Sequence, residues 1–166
     1  MTDAWTAYES PLGRLTVVLS SDGAMKAIRF PGAPEPPLES RRPAPAVAAQ
    51  LDEYFAGART RFELEVDLAG TTFQVAVWNR LRRIPYGSTA GYGEIAEHLD
   101  EAVFPAGIEP HERARAVGAE VGRTPVPIVI PCHRVIGADG SLTGYGGGLD
   151  RKRALLDLES RQLALL

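Results

Sequence analysis

Residues 126–148 concentrate the side chains that can do chemistry: Val-Pro-Ile-Val-Ile-Pro-Cys-His-Arg-Val-Ile-Gly-Ala-Asp-Gly-Ser-Leu-Thr-Gly-Tyr-Gly-Gly-Gly. The chain's single cysteine, Cys132, lies there between Pro131 and His133. A lone cysteine usually packs as a small hydrophobe. Here it ends an apolar run, is followed by His133 and Arg134, and precedes a glycine-rich stretch, a setting that suits a nucleophile better.

The elements needed to position such a group fit the bulk composition. With 166 residues, 45% of them hydrophobic, the chain can bury a core as one domain or as two small subdomains. No apolar run reaches the roughly 18 residues of a membrane helix. The opening Met-Thr-Asp-Ala-Trp lacks the basic flank and apolar centre of a signal peptide, so a soluble cytoplasmic protein is expected. One cysteine excludes an internal disulfide and disfavours an all-protein zinc site, and no metal is expected. The net charge of -3 carries no global signature of nucleic-acid binding, which would have to use a local patch.

Alternating or apolar patterns over 6–9, 14–20 and 24–30, separated by Ser-Pro-Leu-Gly and Ser-Asp-Gly turns, predict a small antiparallel meander. Six prolines between 31 and 45 predict a surface loop. Val47, Leu51, Tyr54 and Phe55 fall at helical spacing within 46–55, and 61–68 alternates like a further strand. No polar cluster converges in this first part, so residues 1–70 are read as a structural subdomain.

From Thr71 the pattern becomes helical. Thr71 or Thr72 can cap a helix carrying Phe73, Val75, Val77, Trp78 and Leu81 toward a core. A short helix is expected over 92–99, a loop over 100–109 and a helix over 112–122 with Arg113 and Arg115 near its start. A strand bracketed by Pro127 and Pro131 should lead into Cys132. The last helix, 149–163, should turn Ala154, Leu155, Leu158 and Leu163 inward, with Glu159 in its central turns. Two short helices running into a strand suggest a helix-turn-helix, and residues 112–134 hold four Arg against two Glu. The joining turn of that motif is about 3–4 residues, shorter than 100–109.

The hexapeptide Ile130-Pro131-Cys132-His133-Arg134-Val135 strongly resembles the O6-alkylguanine-DNA alkyltransferases, which transfer an alkyl group from guanine O6 to their own cysteine. The resemblance extends in family order through Phe73-Gln74, Val77-Trp78, Ile84-Pro85-Tyr86-Gly87, Tyr92-Gly93-Glu94-Ile95-Ala96, Ala114-Arg115-Ala116-Val117-Gly118, Leu142-Thr143-Gly144-Tyr145-Gly146-Gly147-Gly148 and the final helix from Lys152 to Glu159. It is specific from Thr72 to Glu159 and only architectural before that.

The fold this implies is α+β: a ribonuclease-H-like small antiparallel sheet plus helix, then a mainly helical catalytic subdomain, residues 71–166, with a helix-turn-helix. The implied activity is irreversible, stoichiometric repair of O6-alkylguanine in duplex DNA, after base flipping by a helix that enters the minor groove. Cys132 matches the alkyl acceptor, His133 the base that reaches it through a water, and Glu159 the carboxylate that orients the imidazole. The chemistry agrees, because a free thiol with pKa about 8.5 is only a few per cent thiolate at neutral pH and needs a proton sink. Adjacent strand residues face opposite ways, so contact between Cys132 and His133 requires a turn at Cys132.

Tyr92 matches the tyrosine that donates to guanine N3, Arg115 the finger that fills the gap left by the flipped nucleotide, and Tyr145 the tyrosine beside the base. Val135 and Gly147 would lend backbone groups to base recognition, and Ala114 and Lys152 fall among the substrate- and DNA-binding positions. No cofactor is implied. The partner would be double-stranded DNA, met by a monomer, with cooperative assembly along it left open.

Three departures from the family pattern carry expectations. Thr124 replaces an asparagine that bonds the turn after the recognition helix, so that hinge is expected to be either looser or rebuilt. The loop 100–109 is longer than the family's turn and should displace the helix or extend near DNA or a partner. Glu120 would weaken binding if it faced phosphates. A lesion sensor without transfer would dispense with the cysteine, and a Cys-His-Glu hydrolase would not need Tyr92 and Arg115 in place.

Overall fold

Three strands pair antiparallel in chain order, β1 (Ala4–Ser10), β2 (Gly13–Leu19) and β3 (Met25–Arg29). The first hairpin closes with Ser10 opposite Gly13, whose φ of 103° is a conformation that favours glycine. Helix α1 (Pro45–Phe55) starts with proline in its first turn, where a missing N–H costs nothing, and buries Val47, Leu51 and Tyr54. The Tyr8 hydroxyl donates to Asp52 at 2.6 Å, tying α1 to β1. The computed structural model describes residues 2–165, which form two compact units that divide between Leu68 and Ala69.

The further strand expected over 61–68 is not formed. The segment is extended, but it meets β3 only through Met25, whose N–H reaches the Glu65 carbonyl (2.9 Å) and whose carbonyl accepts from Asp67 N–H (2.8 Å). Alternating polarity reports which side chains are half-buried. A ladder needs a continuous partner edge as well, which the sequence pattern does not reveal.

In the second unit α2 (Thr72–Leu81) begins with a reciprocal cap. Gln74 N–H donates to the Thr71 hydroxyl oxygen at 3.1 Å, and Thr71 N–H donates to Gln74 Oε1 at 3.0 Å. Its buried residues are Phe73, Val77, Trp78 and Leu81, while Val75 is only half-buried. Strand β4 (Ala90–Gly91) pairs in parallel with β5 (Val135–Ile136), placing Ala90 opposite Val135. Helix α3 (Tyr92–Glu97) follows β4 directly and packs on α4 (Arg113–Val121). The approach is close: a Cβ on Gly118 would sit 3.4 Å from the Tyr92 ring.

Two sequence expectations fail here for physical reasons. No strand precedes Cys132. Residues 126–130 instead make a turn, closed by Ile130 N–H on the Val126 carbonyl (2.9 Å), with the buried Ile128 at φ 76°. Prolines at 125, 127 and 131 remove the ladder donors a strand would need. A β-branched residue at positive φ is costly and persists only where its surroundings enforce it.

Helix α5 (Leu149–Leu165) also presents a different face from the one hydropathy suggests. Its buried stripe is Lys152, Leu155 and Glu159, whereas Ala154 and Leu163 are exposed and Leu158 is half-buried. Helical spacing does align 152, 155 and 159, but two of the three are charged, so an apolar pattern search cannot find them. Among the described residues, no helix is long and apolar enough to cross a membrane.

Candidate active site

Cys132 opens a single 3-10 turn, Cys132–Arg134, in which Arg134 N–H bonds the Pro131 carbonyl at 3.0 Å. A 3-10 turn, and not a strand, therefore carries Cys132 and His133. His133 is fully buried, and its Nε2 lies 2.8 Å from Glu159 Oε2. Arg134 grips the same carboxylate with two nitrogens, Nε to Oε1 at 2.8 Å and Nη2 to Oε2 at 2.9 Å. Its Nη1 donates to the Ile84 carbonyl at 2.7 Å, and the guanidinium lies 5.6 Å from the centre of the Tyr86 ring. Arg134 thus joins the cysteine turn, α5 and the Ile84-Pro85-Tyr86-Gly87 turn.

From α5, Lys152 sends its buried ammonium to the Val135 carbonyl at 2.5 Å and the Thr143 carbonyl at 3.0 Å. One helical stripe therefore delivers both Glu159 and Lys152 to the segment around Cys132. These polar groups can remain buried because each has near-ideal partners.

The electrostatics follow from that packing. Burial alone would raise the Glu159 pKa, but hydrogen bonds and charges from His133 and Arg134 outweigh it and hold the group down at about 2. Burial lowers the His133 pKa; Glu159 opposes this, while Arg134 and Lys152 reinforce it, and the net direction is down. His133 is therefore a neutral imidazole at pH 7. With Nε2–H donating to ionised Glu159, the hydrogen-bond network assigns the lone pair to Nδ1. That Nδ1 is buried and, among the described residues, has no hydrogen-bond partner, leaving it able to accept a proton.

Burial pushes the Cys132 thiol up to about 11, against the opposing effects of the Thr124 and Tyr145 hydroxyls and the Lys152 ammonium. The resting group is a thiol with a neutral base nearby. Deprotonation has to accompany reaction, because little thiolate exists beforehand.

The remaining candidates distribute as follows. β4–β5 pairing sets Tyr92, the first residue of α3, beside the cysteine turn, with its hydroxyl 2.6 Å from Thr143 Oγ1. Tyr145 is half-buried, and burial raises the pKa of its hydroxyl well above the ordinary value. Val135 ends the cysteine turn, and buried Gly147 gives its carbonyl to Arg151 at 2.9 Å.

Ala114 is half-buried on α4 and Arg115 is exposed. Among the described residues Arg115 makes no hydrogen bond or ion pair. Its neighbour Arg113 is engaged with Glu101 at 3.0 Å and lies over the Phe104 ring at 5.0 Å. Arg115 is therefore the arginine near the start of α4 that stays uncommitted.

The segment between α3 and α4 is an ordered structure. It carries two short 3-10 turns, Glu101–Val103 and Pro110–Glu112, and docks Phe104 against Phe73 of α2 at 5.1 Å. Glu120 is turned inward rather than toward solvent. Its carboxylate folds back on Gln74 Nε2 (2.9 Å) and Arg123 (3.0 Å), its backbone carbonyl accepts from Trp78 Nε1 (2.9 Å), and its side chain is only 14% exposed. Polar residues on α2 offer it a better partner than solvent does.

Sequence reasoning gave no role to Arg134 or Thr143, although both lie in the motifs. A charged residue at the end of an apolar run signals a buried partner, and Arg134 is such a residue. Thr124 departs from the family's asparagine and serves the exit of α4. It donates its hydroxyl proton to the Val121 carbonyl at 2.8 Å.

Comparison with known proteins identifies the family. The family described as 6-O-methylguanine DNA methyltransferase, DNA binding domain, matches residues 72–161, and the ribonuclease-like domain of the same name matches residues 4–68. A methylated-DNA–protein-cysteine methyltransferase of Mycolicibacterium paratuberculosis is 46% identical over 162 residues, covering 95% of this chain and 92% of the relative. The inducible enzyme of that name from Bacillus subtilis is 50% identical over 114 residues, 69% of this chain and 59% of the relative. Among solved structures, the O6-methylguanine methyltransferase of Mycobacterium tuberculosis superposes with a TM-score of 0.80 at 41% identity, covering 99% of both chains. The same organism's OGT in complex with DNA superposes at 0.79 and 42% identity, covering 96% of this chain and 94% of that one. Matched along nearly its whole length, with the ribonuclease-like sheet and the cysteine-bearing helical unit both in place, the chain belongs to the O6-methylguanine-DNA methyltransferase family.

Proposed function

We propose that this protein repairs duplex DNA by moving the alkyl group of O6-alkylguanine, chiefly methyl, irreversibly onto Cys132. The observation that carries the reading is the buried His133–Glu159–Arg134 assembly beside the chain's single thiol. Arg134 and His133 keep Glu159 ionised, Glu159 holds Nε2–H of a neutral imidazole, and Nδ1 remains as the base.

In the transfer step His133 takes the Cys132 proton through a bridging water. Sulfur attacks the alkyl carbon, the carbon–O6 bond breaks, and its electron pair passes into the purine. The guanine anion then takes up a proton, giving normal guanine and S-alkylcysteine. Tyr92, donating to N3, would stabilise the departing base. A thioether has no good leaving group, so each molecule acts once.

Cys132 is only 5% exposed, and a guanine stacked in a duplex cannot carry its O6 substituent to such an atom. The base must leave the stack. In this reading α4 lies in the minor groove as the second helix of a helix-turn-helix, Arg115 fills the vacated position, and Ala114 lines the approach. Tyr145, Val135 and Gly147 would frame the base, with Lys152 holding the Val135 and Thr143 carbonyls in place. Residues 1–70 serve as the structural subdomain and 71–166 as the catalytic, DNA-binding one. A single chain supplies every group used, which favours a monomer as the acting unit.

The test is incubation with a duplex oligonucleotide carrying labelled O6-methylguanine. The expected result is label on the protein, at most one equivalent, mapped to Cys132 by mass spectrometry and absent in Cys132→Ser. Multiple turnovers, or no transfer, would overturn the proposal.

A further inference from the structure

Thr143 lies in the run that follows the cysteine turn, and two bonds fix it. Its backbone carbonyl accepts from the buried Lys152 ammonium of α5 at 3.0 Å, and its Oγ1 lies 2.6 Å from the hydroxyl of Tyr92, the first residue of α3. Thr143 and Tyr92 are both half-buried, so the pair belongs to the border of the site and not to the sealed core. Among the described residues neither hydroxyl has another hydrogen-bond partner.

A hydroxyl carries one proton and can accept two hydrogen bonds. The pair therefore holds two protons but shares one bond, which leaves one proton over. In the free protein the shared bond can run in either direction. A base that presents N3 to Tyr92 decides the direction: Tyr92 can donate to N3 only if its proton is not spent on Thr143, and the bond between the two hydroxyls is then kept by the Thr143 proton. The bound base also displaces water from the phenol oxygen, so Thr143 becomes the donor that keeps that oxygen satisfied.

We propose that Thr143 is a positioning residue for the transfer step, orienting the Tyr92 hydroxyl and donating to its oxygen so that the Tyr92 proton is presented to guanine N3. Donors in series polarise one another, so Tyr92 becomes a stronger donor as negative charge builds on the departing purine. Lys152 gives the arrangement a fixed base, because it ties the backbone of Thr143 to α5.

This inference rests on the proposed function, with Tyr92 donating to N3, and its test separates the two. Single-turnover methyl transfer would be measured over a range of protein concentrations, from duplex oligonucleotides carrying either O6-methylguanine or its 3-deaza analogue, in which C–H replaces N3. The proteins are the wild type, Thr143→Val, Thr143→Ser, Tyr92→Phe and the double variant Tyr92→Phe with Thr143→Val, each checked for folding by circular dichroism.

Thr143→Val keeps the branched shape without the donor. On O6-methylguanine it should lower the saturating rate about tenfold. The half-saturating concentration should stay within about twofold, since the bond to N3 gains its strength during transfer. Thr143→Ser restores the hydroxyl and should stay within about threefold of the wild type. On the 3-deaza lesion, or beside Tyr92→Phe, Thr143→Val should change the rate by less than about twofold, because the bond it supports is already gone. If Thr143→Val does not fold, Thr143→Ala against Thr143→Ser gives the same comparison.

Equal losses on the two lesions, an unchanged rate on O6-methylguanine, or serine failing to restore it would overturn the inference and leave the functional reading standing. Faster transfer by Thr143→Val would overturn it too, because the bond to Tyr92 would then be a restraint. No transfer by the wild type would overturn both.

Discussion

Replacing His133 by Gln tests whether the buried imidazole is the proton acceptor. With the thiol pushed up to about 11, Cys132 holds far less thiolate than a free cysteine would. Each pKa unit is tenfold, so against a free thiol of about 8.5 the deficit at neutral pH is about 300-fold. Neutral His133 can make up that deficit by removing the proton as sulfur attacks. Its folded-state pKa lies below the ordinary 6.5, so the wild-type rate should be level above about pH 6.5 and fall only at lower pH, as the imidazole gains its proton.

Glutamine at 133 can still bond Glu159 but cannot accept a proton. The variant must react through its scarce free thiolate. Its rate should be lower by about 100- to 10,000-fold near neutrality and should climb about tenfold per pH unit toward pH 11. Single-turnover transfer from a labelled oligonucleotide, followed from about pH 6 to about pH 10, reads both slopes. Superimposable profiles for the two proteins would refute the reasoning, and circular dichroism excludes misfolding as the source of a difference.

Two further outcomes test other parts of the site. Glu159→Gln leaves the Arg134 guanidinium buried without its counter-charge, which should cost about 3–5 kcal/mol in urea unfolding at pH 7. Because the folded-state pKa of Glu159 is about 2 against an ordinary 4.5, its stabilising contribution is present above pH 4.5 and lost as pH falls toward 2. The wild type should thus lose stability more steeply than the variant across that window, and equal slopes would mean Glu159 is not held ionised. Arg115→Ala should slow repair in duplex DNA by at least about tenfold while leaving the reaction with free O6-benzylguanine within about twofold; equal losses in both assays would remove the finger role.

The sequence by itself determined much of the site. The lone Cys132 beside His133, ahead of a glycine-rich run, could be read as a reactive thiol from residue types and order, whereas the orienting role of Glu159 came only from the resemblance to the alkyltransferases. Strands β1 to β3 and helices α1 and α2 were legible for a related reason: half-buried elements print their period on the chain, and Thr71 with Gln74 marks a cap.

What the chain order could not carry are interactions between distant polar groups. The Glu159 carboxylate held between His133 and Arg134, the buried Lys152 bonded to two carbonyls, and Glu120 turned inward onto Gln74 each join residues far apart in sequence. Hydropathy assigns all four charged groups to solvent, and so it mistook the buried stripe of α5. The turn at 126–130 escaped as well, because an apolar, proline-spaced run looks like a strand until a partner edge is sought and not found. Tertiary structure decided these points, since burying a charge is tolerable only where partners converge from several elements, and that convergence exists only once the chain has folded.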